Sequence, residues 1–289
     1  MHVLSIQSSV AYGHVGNSSA TFPLQRLGVE VSPIITVHFS NHTGYGKWRG
    51  PVLTAADLTD VLTGLEDLGV LPTVDAVLSG YVGDVTIGEV VLDAVARVRA
   101  ANPDALYCCD PVMGDTATGM YVRQGIPEFM RDRALHAADI VTPNHFELEY
   151  LVGRPVRTMA DALRAAAELR QAGPAAVLIT SLRRADADAD QIELLAATDD
   201  EVWVVTTPRL PLDVDGSGDM TAALFLAHWL RTKDLRRSLE DTANAVYGVL
   251  EETHRVGAYE IQLVQAQAAI ATPTARFVAT RVDSGRAMM

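Results

Sequence analysis

Asp215, Gly216, Ser217, Gly218 and Asp219 put a flexible turn directly against a carboxylate. Met220, Leu224 and Trp229 then recur at helical spacing, which predicts a helix starting at or just after Gly218. A helix start leaves about four backbone N–H groups without partners, and its dipole favours negative charge. Glycines let that backbone come close to a ligand. Asp219 falls in the first turn, where the dipole is expected to keep its carboxylate ionised. Such a cup suits phosphoryl transfer to an alcohol. The N–H groups of Gly216, Ser217 and Gly218 hold charge on the moving group, and Asp219 orients and finally deprotonates the hydroxyl. The same letters also suit a Gly-rich loop with an Asp helix cap.

Competing motifs are weaker. G-S-G-D-M-T lacks the third glycine of a dinucleotide fingerprint. Lysine occurs only at positions 47 and 233, and neither follows Gly and precedes Ser or Thr, so no Walker loop exists. Cys108 and Cys109 are adjacent and the histidines show no ligand spacing, which leaves zinc without a donor set. No G-x-S-x-G elbow is present.

The elements that must position the turn follow from periodicity. His2–Ser8 reads as a buried strand, with Asn17 as the cap of the next helix and Pro23 starting, kinking or shortening it. Val29–Phe39 resembles a second strand, placed at an edge or bulge by Pro33. Thr54 opens an amphipathic helix with Leu58, Val61, Leu62, Leu65 and Leu68 on one face. Strands are expected at Val74–Ser79, Ala105–Cys109, Ala138–Val141 and Ala175–Thr180, and helices at Val85–Ala101 and from Thr158 to Gly173. Ile192–Thr198 and Glu201–Thr207 read as a hairpin, and three helices follow Gly218. Arg183–Asp190 reads as a solvated loop. Alternating strands and helices predict an α/β fold, a mostly parallel sheet covered on both faces, in one domain over residues 1–270 with a C-terminal tail at 271–289.

The chain of 289 residues is 48% hydrophobic and 20% charged, an ordinary globular balance. Its net charge of −13, from 23 basic and 36 acidic residues, argues against nucleic acid and anionic membrane as partners. No apolar run approaches the ~18 residues of a membrane span. The opening M-H-V-L-S-I-Q-S-S shows no basic region or cleavage site, so a cytoplasmic protein with reduced cysteines facing opposite sides of a strand is expected.

In an open parallel sheet, ligands bind beyond the carboxyl ends of the strands. Those ends carry Ser8, Thr43, Gly80-Tyr81, Asp110, Thr142-Pro143-Asn144 and Thr180-Ser181. Asp110, Asp115 and Glu147 are candidate Mg²⁺ or water-bridged ligands, because Mg²⁺ prefers oxygen donors. Glu147 reads equally as a first-turn helix acid.

The turn D-G-S-G-D before an apolar helix resembles the signature of the ribokinase-like kinases. Ile6–Asn17, Phe39–Trp48, Leu78–Gly83, Cys109–Asp115 and Thr142–Glu149 resemble pyridoxal kinases, and the matching blocks run in order from about Val3 to Tyr259. N-H-T-G-Y-G-K-W is the most specific of them. The resemblance implies a three-layer α/β/α sandwich without a separate β-lid, and ATP-dependent phosphorylation of the 5-hydroxymethyl group of pyridoxal, with pyridoxine and pyridoxamine as further substrates. It implies Asp219 as base and substrate contact, Gly216–Gly218 as anion hole, and Ser8, Thr43, Gly44 and Tyr81 around the vitamin. Asp110, Thr142, Glu147, Thr180 and Ser181 would serve the ATP phosphates and their cations, Mg²⁺ and in this branch K⁺. Arg209 and Leu210 would lie in a loop over the nucleotide, and a homodimer is implied.

Two departures stand out. Ser9 replaces a histidine common in the family, and Thr180-Ser181 matches one branch where another has Lys-His. Two alternatives accompany the reading: a kinase for another small alcohol such as hydroxymethylpyrimidine, and a carrier of pyridoxal phosphate that lost the chemistry. Ser40–Trp48 speaks against the first and an intact Gly216–Asp219 turn against the second.

Overall fold

A computed structural model describes residues 1–283. The chain runs β1 (His2–Val10), α1 (Asn17–Arg26), β2 (Glu30–Phe39), α2 (Ala55–Asp67), β3 (Ala76–Ser79), α3 (Val85–Ala101) and β4 (Leu106–Cys109). A two-strand hairpin, β5 (Gly114–Asp115) and β6 (Gly119–Met120), follows. Then come α4 (Ile126–Phe129), a π-helical turn over Met130–Ala134, α5 (Leu135–Ala137) and β7 (Ile140–Val141). The second half holds α6 (His145–Val152), α7 (Met159–Gln171), β8 (Ala176–Leu182), β9 (Gln191–Ala197), β10 (Val202–Pro208), α8 (Ser217–Thr232), α9 (Leu235–Val256), α10 (Gln267–Ala271) and β11 (Thr280–Arg281).

Nine strands form one sheet in the order β11-β10-β9-β8-β7-β4-β3-β1-β2. Strands β2 through β8 in that order pair in parallel, and β8, β9, β10 and β11 pair antiparallel. Alternation along each strand feeds two cores. Leu4, Val77, Cys109, Val177 and Ile179 face the layer of α2, α3, α6 and α7. Val3, Leu78, Cys108, Ala176 and Leu178 face the layer of α1, α8 and α9. The adjacent cysteines thus enter opposite cores, both buried and unpaired. The result is a three-layer α/β/α sandwich. Among the described residues, the only strands outside the large sheet are those of the β5–β6 hairpin.

Local chemistry explains most boundaries. Thr54 caps α2 with a capping box to Asp57, and Thr158 caps α7 in the same way with Asp161. Pro33 sits in β2, the outermost strand at one sheet edge, where a missing N–H is tolerated. Four expectations need correction. Asn17 does not cap α1. Its side chain is buried and donates to the carbonyls of Ser5, Gln7 and Ile34, tying β1 to β2 where their register shifts. Val61 and Leu68 of α2 lie outside the core, at 51% and 78% exposure, because the helix rests on the sheet edge along the narrower Leu58–Leu62 line. Arg183–Asp190 is not wholly solvated: Arg184 forks onto Glu193, itself buried, at 2.7 and 2.9 Å.

The fourth concerns the tail. Residues 272–283 return to the body instead of trailing from it. Asn244 of α9 accepts the N–H groups of Arg276 and Phe277 and donates to the Phe277 carbonyl, and β11 then extends the sheet beside β10. The remainder of the expected tail, residues 284–289, lies outside the described residues.

Candidate active site

The predicted catalytic turn sits where β10 delivers the chain to α8. Gly216 has φ 81° and immediately precedes the helix. A β-carbon there would stand 1.7 Å from the His14 carbonyl oxygen, so glycine alone fits. Ser19 Oγ donates to the Gly216 carbonyl at 2.7 Å and fastens the turn to α1. No neighbouring atom lies within 4 Å of where a Gly218 β-carbon would be, so open space faces the helix start. This is the cup that the sequence predicts.

Asp219 occupies the first turn of α8, partly open to the cleft and otherwise walled by protein. Desolvation pushes its carboxyl up to about 6, while the Gly16 N–H and the charge on His42 pull the other way. Burial thus opposes the helix dipole, and the carboxyl titrates higher than the dipole alone would leave it. A carboxyl raised toward the working pH suits a general base, since proton transfer is efficient when the pKa lies near that pH.

A cleft of about 460 Å³ opens beside this turn. Asp110, Thr142, Glu147, Thr180, Ser181, Arg209 and Leu210 all line it with Gly216–Asp219, so the residues expected around ATP are brought together. Asp110 is buried and accepts Thr142 Oγ1 at 3.0 Å. Glu147 is buried at the start of α6, where its oxygens accept the Met113 and Asn144 N–H groups at 2.9 Å each. It is therefore also the first-turn helix acid that the sequence offers as its alternative role. Burial holds both carboxyls well above the usual carboxylate range, and Glu147 raises Asp110 further. Thr180 N–H donates to the Pro143 carbonyl at 2.8 Å, and Ser181 takes the left-handed conformation at φ 51°, rare for a residue with a β-carbon.

Asp115 departs from expectation. It lines the cleft, but its carboxylate accepts the N–H groups of Ala117 and Thr118 and the Thr118 hydroxyl, all within 2.8 Å, and so closes the β5–β6 turn. Asp110 and Glu147 line the cleft without such a hairpin turn to close. Among the described residues, no group of three or more His, Cys, Asp or Glu side chains could hold a metal by itself. Two buried carboxyls whose ionisation burial opposes fit a hard cation, which would favour their charged forms while keeping its waters and phosphate ligands.

Apart from Asp219, the residues expected around the vitamin lie outside that lining. Ser8 lies near the end of β1 against Gly16, whose β-carbon would meet Ser8 Oγ at 2.5 Å; Gly16 in turn reaches the Asp219 carboxylate through its N–H. Thr43 and Gly44 lie in a short 3₁₀ turn, Thr43–Tyr45, capped by His42. His42 Nδ1 stands 2.6 Å from Asp215 Oδ2 and so brings this loop onto the catalytic turn. Tyr81 follows β3, half-buried, its carbonyl accepting Thr36 Oγ1 of β2 at 2.9 Å. Ser9 faces away from Ser8 and bonds Ser18 of α1 at 3.0 Å.

Sequence reasoning missed two sets of residues. One is the apolar slab of Ile192, Leu194, Leu212, Ala243, Val246 and Leu250, which lines the cleft opposite its polar rim. The α9 members recur at helical spacing and read as core, and only the tertiary placement of α9 shows that this stripe continues into the cleft. The other set is His42 and Glu260. Glu260 accepts Tyr45 Oη and the His14 N–H at 2.9 Å each, a contact across more than 200 residues of sequence that no local pattern announces.

Comparison with known proteins gives this arrangement its family. The family model described as phosphomethylpyrimidine kinase matches residues 64–264. Pyridoxal kinase PdxY of Rubrobacter xylanophilus is 62% identical over 283 residues, covering 98% of each chain. Pyridoxal kinase PdxY of Leifsonia xyli is 51% identical, covering 98% of this chain and all of the other. The crystal structure of pyridoxal kinase from Leishmania donovani with ADP and ginkgotoxin superposes with a TM-score of 0.92 at 30% identity, over 98% of this chain and 99% of that one. The chain belongs to the ribokinase-like small-molecule kinases and, within them, to the pyridoxal kinase family.

Proposed function

We propose that the protein transfers the γ-phosphoryl group of ATP to the 5-hydroxymethyl group of pyridoxal, giving pyridoxal 5'-phosphate, with pyridoxine and pyridoxamine as further substrates. One observation carries the reading: a carboxylate poised near neutral pH stands in the first turn of a helix whose glycine-lined start opens between a nucleotide-sized cleft and the Phe39–Trp48 loop.

In this reading the apolar slab of α9 and β9 takes the base of the nucleotide, and Arg209 and Leu210 cover it. The phosphates extend along the rim toward Gly216–Gly218, whose N–H groups meet the charge that develops on the transferring group. Ser8, Thr43, Gly44 and Tyr81 orient the vitamin so that its hydroxymethyl oxygen approaches in line, and Asp219 accepts the proton as the oxygen–phosphorus bond forms. Mg²⁺, held through Asp110 and Glu147 with water, would neutralise phosphate charge, and K⁺ near Asp110, Thr142 and Glu147 would assist. With no lysine on the rim, that charge falls mostly to cations and backbone dipoles, with Arg183 and Arg209 also in the lining.

We further infer a cytoplasmic homodimer with one catalytic domain, residues 1–270 together with the 272–283 segment packed on it. No helix among the described residues is long and apolar enough to cross a membrane. ADP release from Mg-ATP on adding pyridoxal tests the function. Turnover with pyridoxal supports it, while turnover only with hydroxymethylpyrimidine would keep the mechanism and discard the vitamin.

A further inference from the structure

The Phe39–Trp48 loop is fastened at two points. Glu260 takes the Tyr45 hydroxyl on one oxygen and the His14 N–H on the other. The second fastening is His42 Nδ1, which lies 2.6 Å from Asp215 Oδ2 and 3.2 Å from the Gly44 nitrogen. These two contacts compete for one atom. An unprotonated Nδ1 would accept the Gly44 N–H but would turn its lone pair on the carboxylate at a distance where two acceptors repel. A protonated Nδ1 donates to Asp215 and leaves the Gly44 N–H without that acceptor. The shorter contact selects the second state.

The charged groups facing the ring are acidic: Asp215 first, then Asp219 and Glu260. The hydroxyls of Tyr45 and Tyr259 flank the loop, the latter 3.3 Å from where a Gly44 β-carbon would sit. Part of each ion-pair side chain stays in contact with solvent, 32% of His42 and 44% of Asp215, so the pair can open and close.

We propose that Asp215 is a positioning residue for the substrate loop: it keeps the proton on His42 Nδ1, pins the Thr43–Tyr45 turn to the turn that starts α8, and thereby frees the Gly44 N–H for the substrate. The role deepens the kinase reading and rests on it. Asp215 precedes the N-cap glycine of α8, so the residue that holds the loop is continuous with the anion cup. Loop placement and base ionisation are coupled through one ring, because the His42 charge lowers the Asp219 carboxyl.

Asp215→Asn in the full chain tests this, with Asp215→Glu as the conservative control. The expected result is a fall of about 10- to 100-fold in kcat/KM for pyridoxal, the size of effect a small misplacement produces. The alkaline limb of the pH profile should move down toward the ordinary imidazole range, and Asp215→Glu should restore most of both. A merely structural role would lower Tm and leave the pH limb in place, and that outcome overturns the proposal. Ring ¹⁵N shifts of His42 in the unaltered protein give a reading that needs neither activity nor a variant that folds. A protonated Nδ1 at pH 7 supports the proposal whatever alcohol is phosphorylated, and a bare Nδ1 contradicts it.

Discussion

The α-carbon of Gly216 faces the carbonyl of His14 so closely that a methyl group would lie 1.7 Å from the oxygen. The turn that starts α8 and the loop that follows β1 therefore fit only with glycine at this position. Gly216→Ala is expected to lose nearly all turnover and to lower Tm, since it adds a steric clash to an unfavourable backbone conformation. Gly218→Ala meets no atom within 4 Å and should fold normally, while narrowing the cup from the ligand side. Thermal unfolding and steady-state kinetics on the two variants separate these effects.

The Asp219 carboxyl, raised to about 6, sets the acid side of activity. kcat/KM for the alcohol should fall tenfold per pH unit below that value and lose this limb in Asp219→Asn. Stability should move the opposite way. A carboxyl raised above its unfolded value of 3.8 supports the fold when protonated and loses that contribution as pH rises through about 6. Asp219→Asn is therefore expected to unfold at higher temperature than the parent at pH 7.5 and to show no advantage at pH 4. Calorimetry across pH checks both.

Asp110 and Glu147 are two buried acids whose charged forms a cation would favour. Asp110→Asn should raise the Mg-ATP KM and flatten the dependence of Tm on Mg²⁺, and should stabilise the protein in chelator because one buried like-charge contact disappears. A variant with unaltered Mg²⁺ dependence would remove Asp110 from the cation site.

Asn244 makes three hydrogen bonds to the backbone of Arg276 and Phe277 and is buried. Asn244→Ala should destabilise by about 1–3 kcal/mol, the cost of leaving such groups unsatisfied. Stopping the chain after Ala271 should cost more, as it also uncovers β10. Urea unfolding measures both.

How far the sequence reaches follows from the range over which each signal acts. Thr54 and Thr158 announce their helices because a capping box is complete within four residues. The Gly216–Asp219 cup is legible for the same reason. Val61 and Leu68 fall on a helical apolar stripe whose partner is a sheet edge too narrow to cover them, and periodicity does not report the width of the partner. Asn17 has a capping residue's letter and a capping residue's position, yet three carbonyls of β1 and β2 compete for its amide and win. Asp115 is legible as an acid on the rim; that its carboxylate accepts the N–H groups of its own turn is not, because this depends on the β5–β6 hairpin. The tail from 272 to 283 carries strand formers such as Phe277, Val278, Thr280 and Val282, but its partners α9 and β10 are distant in sequence and only the fold supplies them.

The most direct measurement is ADP release by purified protein with Mg-ATP and K⁺, comparing pyridoxal with hydroxymethylpyrimidine, in the parent and in Asp219→Asn. The account predicts rapid turnover with pyridoxal, a clear preference over the pyrimidine, and a loss of roughly 10²–10⁴-fold in the variant with pyridoxal still bound. Undiminished turnover in Asp219→Asn, or no turnover with pyridoxal in folded parent protein, would contradict it.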